Sequence, residues 1–126
     1  MANTLTFNGT FTPTFGSLRP VASIATSITL SGSNFIANTL NVTSSAYTPL
    51  ATSSLSDLRY AFFANNDATA SIIVAFDTSG TKTLTVIPPD ESAVIPYSSS
   101  IAAASLYAKA VGSTGSVVLD YILLES

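Results

Sequence analysis

The sequence contains no cysteine and no histidine. Without cysteine, the chain has no disulfide framework and no thiolate nucleophile. Without histidine, it cannot build a Ser-His-Asp triad. Zinc sites take most of their ligands from these two residue types, so we do not expect a structural zinc. No combination of the remaining residues specifies an enzyme, and we predict a non-enzymatic protein without a cofactor.

Charged side chains are also scarce. The 126 residues include four basic and seven acidic residues, 9 % of the chain, whereas globular domains carry about 25 %. A nucleic-acid surface needs clustered Lys and Arg to neutralise phosphates, so no nucleic-acid partner is expected. The polarity of the chain comes instead from hydroxyl groups, carried by 20 Ser and 17 Thr residues.

No segment has the pattern of a signal peptide or of a membrane-spanning helix. Residues 1–10 have neither a basic region nor a continuous apolar core, which a secretion signal requires. The longest uncharged run, residues 20–56, is interrupted by Ser, Thr and Asn. It does not approach the ~18 consecutive apolar residues of a spanning helix. We therefore expect a soluble protein made in the cytoplasm, with no membrane partner.

Alternating apolar and polar residues indicate β-strands along almost the whole chain. About eight or nine short strands, separated by turn residues, predict an all-β sandwich or barrel. Pro13 cannot donate a ladder hydrogen bond, which suits an edge or an irregular arm. We therefore assign residues 1–20 to an N-terminal arm or edge strand and residues 21–126 to a β-sandwich domain.

Several strands carry a more detailed prediction. Residues 71–76 are apolar on both faces, which indicates a central strand. Gly80 is expected to take positive φ in a hairpin turn. In the short strand 92–97, Val94 is expected to point inward. In the last strand, residues 117, 119, 121 and 123 are expected to oppose residues 118, 120, 122 and 124.

Two loops contain residues that are able to bind a ligand. Asn65, Asn66 and Asp67 offer oxygen ligands for calcium, but these residue types are equally typical of a tight turn, which we prefer. Tyr47 is the one tyrosine that we place in a loop, where an aromatic ring can stack on a sugar. A glycosidase needs two carboxylates across a cleft, and nothing in the sequence pairs two of the acids in this way.

The most informative pattern is the distribution of charge. Residues 1–56 contain a single charged side chain, Arg19. Solvent-exposed surfaces usually carry dispersed charge, whereas the centres of interfaces are depleted in it. We therefore predict that the N-terminal half contributes a protein–protein interface. The candidate interface residues are Phe7, Phe11, Phe15, Arg19 and Phe35.

The C-terminal half carries a series of motifs: a strand ending in Asn65-Asn66-Asp67, the Val/Ile strand 71–76, a Pro89-Asp90-Glu91 corner, a strand that runs into Pro96, and the segment Leu106-Tyr107-Ala108-Lys109-Ala110. Together they resemble a β-module found in small bacteriophage virion proteins. The module has Pro-Gly-Glu at the corner, where this chain has Pro-Asp-Glu. The resemblance covers residues 58–124, and no functional residues are carried over from it.

This resemblance implies a jelly-roll-like β-sandwich of about eight strands in a phage particle. Our first prediction is a capsid decoration, or cement, protein that bridges major capsid subunits. The resemblance implies a homo-oligomer, a trimer, located in the virion. A tail or fibre component with a lectin-like receptor site is the alternative. A glycoside hydrolase is a further alternative, which we do not expect.

Overall fold

The computed structural model describes residues 3–11, 22–30, 34–56, 58–97 and 105–125. These residues form ten β-strands and no helix. The strands are β1 (Asn3–Phe11), β2 (Ala22–Leu30), β3 (Phe35–Thr43), β4 (Thr48–Pro49), β5 (Leu58–Asn65), β6 (Ser71–Ala75), β7 (Thr83–Ile87), β8 (Ser92–Pro96), β9 (Tyr107–Val111) and β10 (Ser116–Glu125). The predicted all-β class is confirmed.

The chain divides into two compact units, Met1–Ser33 and Asn34–Ser126. In the first unit, β1 and β2 form an antiparallel hairpin whose register runs from Asn3 opposite Leu30 to Phe11 opposite Ala22. The boundary between the two units therefore lies after residue 33, whereas the predicted boundary was after residue 20. Strand pairing explains the difference, because β2 joins β1 in a two-stranded sheet of their own. Pro13 lies outside the described residues.

The second unit is a jelly-roll β-sandwich. Its eight strands pair as a nested ribbon: β3 with β10, β4 with β9, β5 with β8, and β6 with β7. Rolling up this ribbon adds the pairs β5–β10 and β6–β9. The result is two antiparallel sheets with strand orders β3-β10-β5-β8 and β4-β9-β6-β7. This is the arrangement of a double-sheet jelly roll.

The core lies between the two sheets and follows the alternation of the strands. In β10, Val117, Leu119, Tyr121 and Leu123 are buried, while the intervening residues are exposed or half-buried. Strand β6 lies between β9 and β7, as its two apolar faces predicted. Residues from both sheets share a single apolar cluster, which is the condition for a sandwich to be stable.

The prediction for strand β8 is wrong. Val94 is 42 % exposed, whereas Ala93 and Ile95 pack against the core. The reason is the register with β5, in which Val94 lies opposite Phe62 on the outer face of the sheet. The buried neighbour Phe63 lies opposite Ala93. Pairing with the neighbouring strand therefore decides which of the two faces of β8 meets the core.

The β6–β7 hairpin closes as predicted. Gly80 has φ of 73°, a conformation that costs glycine little and other residues more. The Asp77 carboxylate caps the same turn by accepting the backbone N–H groups of Thr81 at 3.0 Å and Lys82 at 3.2 Å. The hydroxyl of Thr81 donates to it as well, and this hydrogen bond is the main reason that the pKa of Asp77 is lowered.

Candidate interaction surface

Of the five residues predicted to form an interface, three lie in the described part of the chain. Phe7 and Phe11 belong to strand β1 of the hairpin unit. Phe15 and Arg19 lie outside the described residues. Phe35 begins β3 of the sandwich and is 66 % exposed. Phe35 is therefore the predicted residue around which a surface can be built from described side chains.

Part of the charge-poor half of the sequence, residues 35–49, forms one edge of each sheet of the sandwich. Strand β3 is the edge of the first sheet and β4 is the edge of the second. The two sheets contact each other through β3 and β9 and through β5 and β7. The strand orders β3-β10-β5-β8 and β4-β9-β6-β7 therefore run in the same direction across the sandwich. As a result, the β3 edge and the β4 edge lie on the same side of the sandwich. We call this side, formed by β3, β4 and the segment between them, the uncharged edge. No Asp, Glu, Lys or Arg occurs in residues 34–56.

The outer face of the sheet β3-β10-β5-β8 is largely apolar. Residues opposite one another in neighbouring strands form rows across the sheet. The first row is Phe35, Leu124, Tyr60 and Pro96; the second is Ala37, Ile122, Phe62 and Val94; the third is Thr39, Asp120, Ala64 and Ser92. All twelve side chains are exposed or half-buried. We call these three rows the apolar face.

Asp120 is the one charged residue of the apolar face, and its carboxylate already has partners. Oδ1 accepts a hydrogen bond from the Thr39 hydroxyl. Oδ2 accepts one from Asn66 Nδ2 at 2.6 Å. Thr39 and Asp120 line a shallow, open depression of about 360 Å³ together with Phe62 and Ile122. The depression on the apolar face is therefore lined by both polar and apolar side chains.

The Asn65–Asp67 segment forms a hydrogen-bonded turn, as preferred over a calcium site. The buried Asn65 side chain donates through Nδ2 to the carbonyl oxygens of Ala70, Ile87 and Pro88 at 2.7, 3.2 and 2.9 Å. Its Oδ1 accepts the N–H of Asp67 at 3.1 Å. Because Asn65 presents an amide nitrogen to three carbonyl oxygens, it ties the end of β5 to two other loops.

Asp67 completes this turn. Its Oδ1 accepts the backbone N–H groups of Ala70 at 2.7 Å and Thr69 at 2.8 Å, and the Thr69 hydroxyl at 2.9 Å. Hydrogen bonds to the ionised form stabilise it, so the pKa of Asp67 is lowered, chiefly by the bond from Ala70. Among the residues that the structure describes, no three Asp, Glu, His or Cys side chains lie close enough to hold a metal ion.

Tyr47 lies in the loop between β3 and β4, as predicted, but it is half-buried. The ammonium nitrogen of Lys109 sits 5.6 Å from the centre of its ring, within the range of a cation–π interaction. The ring also packs against the β6–β7 turn, where an added Cβ on Gly80 would lie 2.7 Å from the Tyr47 Cζ atom. These contacts favour a packing role for Tyr47 over a sugar-stacking role.

Two polar groups in the interior differ in how they are satisfied. Tyr121, at 1 % exposure, accepts the backbone N–H of Ala51 at 3.0 Å through its hydroxyl oxygen. The hydroxyl of Tyr97 is buried and has no hydrogen-bond partner among the described residues. Burial raises the pKa of Tyr97 above its ordinary value, because the phenolate would lose its hydration.

Sequence reasoning missed most of the apolar face. Only Phe35 was singled out, whereas Tyr60, Phe62, Val94 and Ile122 contribute beside it. The available signal was the two-sided apolarity of β5 and β10. In both strands the residues opposite the buried set include large apolar side chains. A strand with one solvated face usually alternates apolar and polar residues, so this departure marks an unusual outer surface.

Within the described ranges, no helix is long and apolar enough to cross a membrane. Comparison of the chain with protein-family models, with curated proteins and with solved structures finds no match to any of them.

Proposed function

We propose that this chain is a non-enzymatic structural protein of a bacteriophage virion, a decoration protein that binds the outside of the capsid and bridges major capsid subunits. The observation that carries the proposal is the uncharged edge. It places the charge-free residues 35–49 on one side of a jelly-roll sandwich. The hairpin unit, which belongs to the same charge-poor half of the sequence, precedes it in the chain.

An uncharged edge suits attachment because no charged side chain of residues 35–49 has to be desolvated when the edge binds a partner. Burying a charge costs several kcal/mol unless it is paired, whereas hydroxyl and amide groups recover hydrogen bonds from a partner surface more readily. Strand β3 also has nine residues at a sheet edge. The unpaired backbone groups of an edge strand can receive a strand from another protein. We therefore propose that β3 and the hairpin unit make the capsid contact.

Attachment through several copies of the protein strengthens overall binding even when each single contact is weak. Several binding sites on one assembly raise the effective concentration of each, so overall binding exceeds that of a single site. We propose that the protein binds as a homo-oligomer. The trimer implied by the sequence resemblance stays a prediction, to be checked by the mass of the purified protein.

The first experiment removes the hairpin unit as a whole. Because β1 pairs with β2, deletion of residues 1–33 respects the structure better than deletion of residues 1–19, which would leave β2 without its partner. The buried core residues of the sandwich lie between Val42 and Leu123, so we expect the truncated chain to keep its β-rich circular dichroism spectrum. We also expect it to lose binding to capsids stripped of the protein. Full binding by the folded truncated chain would contradict the role of the hairpin.

The second experiment adds a charge to the uncharged edge. Asn41 in β3 and Ser92 in β8 are both exposed and lie on opposite edges of the same sheet. We expect Asn41→Lys to weaken capsid binding at least about tenfold, because the ammonium must be desolvated in the contact. Ser92→Lys, the matched control, should bind like the unmodified protein. Equal binding by both variants would remove the uncharged edge from the proposal.

A further inference from the structure

We propose that the depression beside Asp120 and Phe62 is a binding site for a neutral sugar ring. It places one aromatic ring next to polar groups that still have free hydrogen-bonding capacity, and the class of ligand follows from this combination. Tyr47, the residue that the sequence suggested for sugar stacking, does not line the depression. The inference concerns ligand binding by the protein itself and goes beyond attachment to a capsid.

Strand pairing brings the residues of the site together. Asp120 lies opposite Ala64 in β5, so Phe62 is its diagonal neighbour. Diagonal neighbours are ~7–8 Å apart, within reach of an aromatic side chain. On the β3 side, Thr39 lies directly opposite Asp120 and Ala37 is the diagonal neighbour. Because Ala37 carries only a methyl group, the sheet surface is open between the polar and the aromatic side chains.

The polar groups of the depression can make further hydrogen bonds. A carboxylate accepts about four hydrogen bonds, and that of Asp120 accepts one from the Thr39 hydroxyl and one from Asn66 Nδ2. The Thr39 hydroxyl donates here, so its oxygen is still able to accept. Asn38 accepts the Thr39 N–H through Oδ1 at 2.8 Å, which leaves its Nδ2 group available as a donor. The depression therefore offers acceptors and a donor side by side.

A sugar ring matches this arrangement. Each of its hydroxyls both donates and accepts, which suits Asp120, Thr39 and Asn38 together. The C–H groups on one face of the ring are apolar and can pack on Phe62, and Ile122, at 38 % exposure, adds an apolar contact. Small-molecule sites commonly combine apolar lining with a few polar groups that fix orientation, in volumes of ~300–1,000 Å³. The depression, at about 360 Å³, has room for a single ring.

The charge of the depression argues against anionic ligands. Among the described residues that line it, Asp120 is the one charged residue. An anion would therefore meet a carboxylate without a counter-charge, which is unfavourable. Arg59, whose guanidinium lies 5.7 Å from the centre of the Tyr60 ring, does not line the depression. A purely apolar ligand would leave the polar groups desolvated and unpaired, so a neutral hydroxylated ligand remains.

The test is an NMR titration of the ¹⁵N-labelled full chain with the methyl glycosides of glucose, galactose and mannose. An open site that covers one face of a hexose should bind in the millimolar range, so each titration extends to about 50 mM. We expect at least one glycoside to shift the amide resonances of Thr39, Phe62 and Asp120 in a saturable manner. Glucuronate, the anionic probe, should leave these resonances unchanged.

Two variants change the site and one serves as a control. Asp120→Asn removes the carboxylate and Phe62→Leu removes the aromatic ring while it keeps an apolar side chain. Each should weaken binding at least about fivefold. Asp90→Asn, at an exposed aspartate in the loop between β7 and β8, is the matched control for Asp120→Asn and should bind like the unmodified chain. Amide spectra verify folding, and Asp120→Asn serves if Phe62→Leu does not fold.

Three results would overturn the proposal. They are the absence of saturable shifts with all three glycosides, equal shifts with glucuronate, and an affinity that neither site variant alters. None of them depends on whether the protein binds a capsid, so the test is independent of the proposed function.

Discussion

Replacing Asn65 by aspartate tests whether this single buried side chain organises the loops at the end of β5. In the structure, Nδ2 faces the carbonyl oxygens of Ala70, Ile87 and Pro88 at 2.7, 3.2 and 2.9 Å. Asn65→Asp keeps the shape of the side chain but replaces this donor by an oxygen. At neutral pH the new group is a buried carboxylate that points at three other oxygens.

The expected loss in the free energy of unfolding comes from the three carbonyl groups that lose their hydrogen-bond donor. A buried polar group that loses its partner costs ~1–3 kcal/mol, so Asn65→Ala should lower the free energy of unfolding by ~2–4 kcal/mol. Asn65→Asp should cost more, ~4–5 kcal/mol, because an unpaired buried charge is added. Total stabilities are ~5–15 kcal/mol, so the aspartate variant should be close to unfolding at neutral pH.

Urea denaturation at several pH values measures this effect and adds a second signature. Burial and the facing carbonyls raise the pKa of the new carboxyl in the folded state. The neutral form is then favoured in the folded protein, so the deficit relative to the unmodified chain should shrink at acid pH and grow as pH rises. Asn41→Asp, on an exposed residue of β3, is the control and should change stability by less than ~0.5 kcal/mol. Equal stability of Asn65→Asp and that control at pH 7 would contradict an organising role for the Asn65 side chain.

Three further comparisons test other parts of the structure. In thermal melts, Gly80→Ala should destabilise the protein far more than Gly112→Ala. Both glycines have positive φ, but only at Gly80 would the added Cβ collide with a side chain, that of Tyr47. Tyr97→Phe should raise the free energy of unfolding by ~1 kcal/mol, because it removes a buried hydroxyl without a hydrogen-bond partner among the described residues. Tyr121→Phe should lower the free energy of unfolding by a similar amount, because it removes a formed hydrogen bond. Equal effects of the two substitutions in urea melts would contradict this expectation. The lowered pKa of Asp67, from an ordinary value of 3.8, means that its carboxylate adds stability above that value and loses the contribution as pH falls through the folded-state pKa. The urea midpoint of Asp67→Asn should therefore fall less steeply on acidification than that of the unmodified chain, and parallel curves would show that the turn adds no pH dependence.

Much of the fold was predictable because strand patterns are local. The apolar character of both faces of residues 71–76 predicted a central strand, and β6 has a partner on each side. The alternation in residues 116–124 predicted how the side chains of β10 divide between its two faces, and the structure buries one of these two sets. Glycine at the β6–β7 turn predicted positive φ at Gly80. In each case the neighbouring residues supply the constraint.

The errors and omissions arise where distant strands decide. Period two divides β8 into two faces, but only the register with β5 selects the face that meets the core, which is why the prediction for Val94 failed. The domain boundary differed because β2 pairs with β1 in a separate sheet. The apolar face was not foreseen because its rows join residues as far apart in sequence as Phe35 and Leu124.

The all-β class, most strand positions and the absence of charge from residues 34–56 can be read from the sequence alone. These properties depend on residue type and on spacing within a few residues. Which strands are neighbours depends on the tertiary structure, and with it the placement of residues 35–49 along one edge of both sheets and the combination of four strands into the apolar face. Strand pairing between segments far apart in the chain is set by the packing of the whole core, and no short stretch of sequence contains that information.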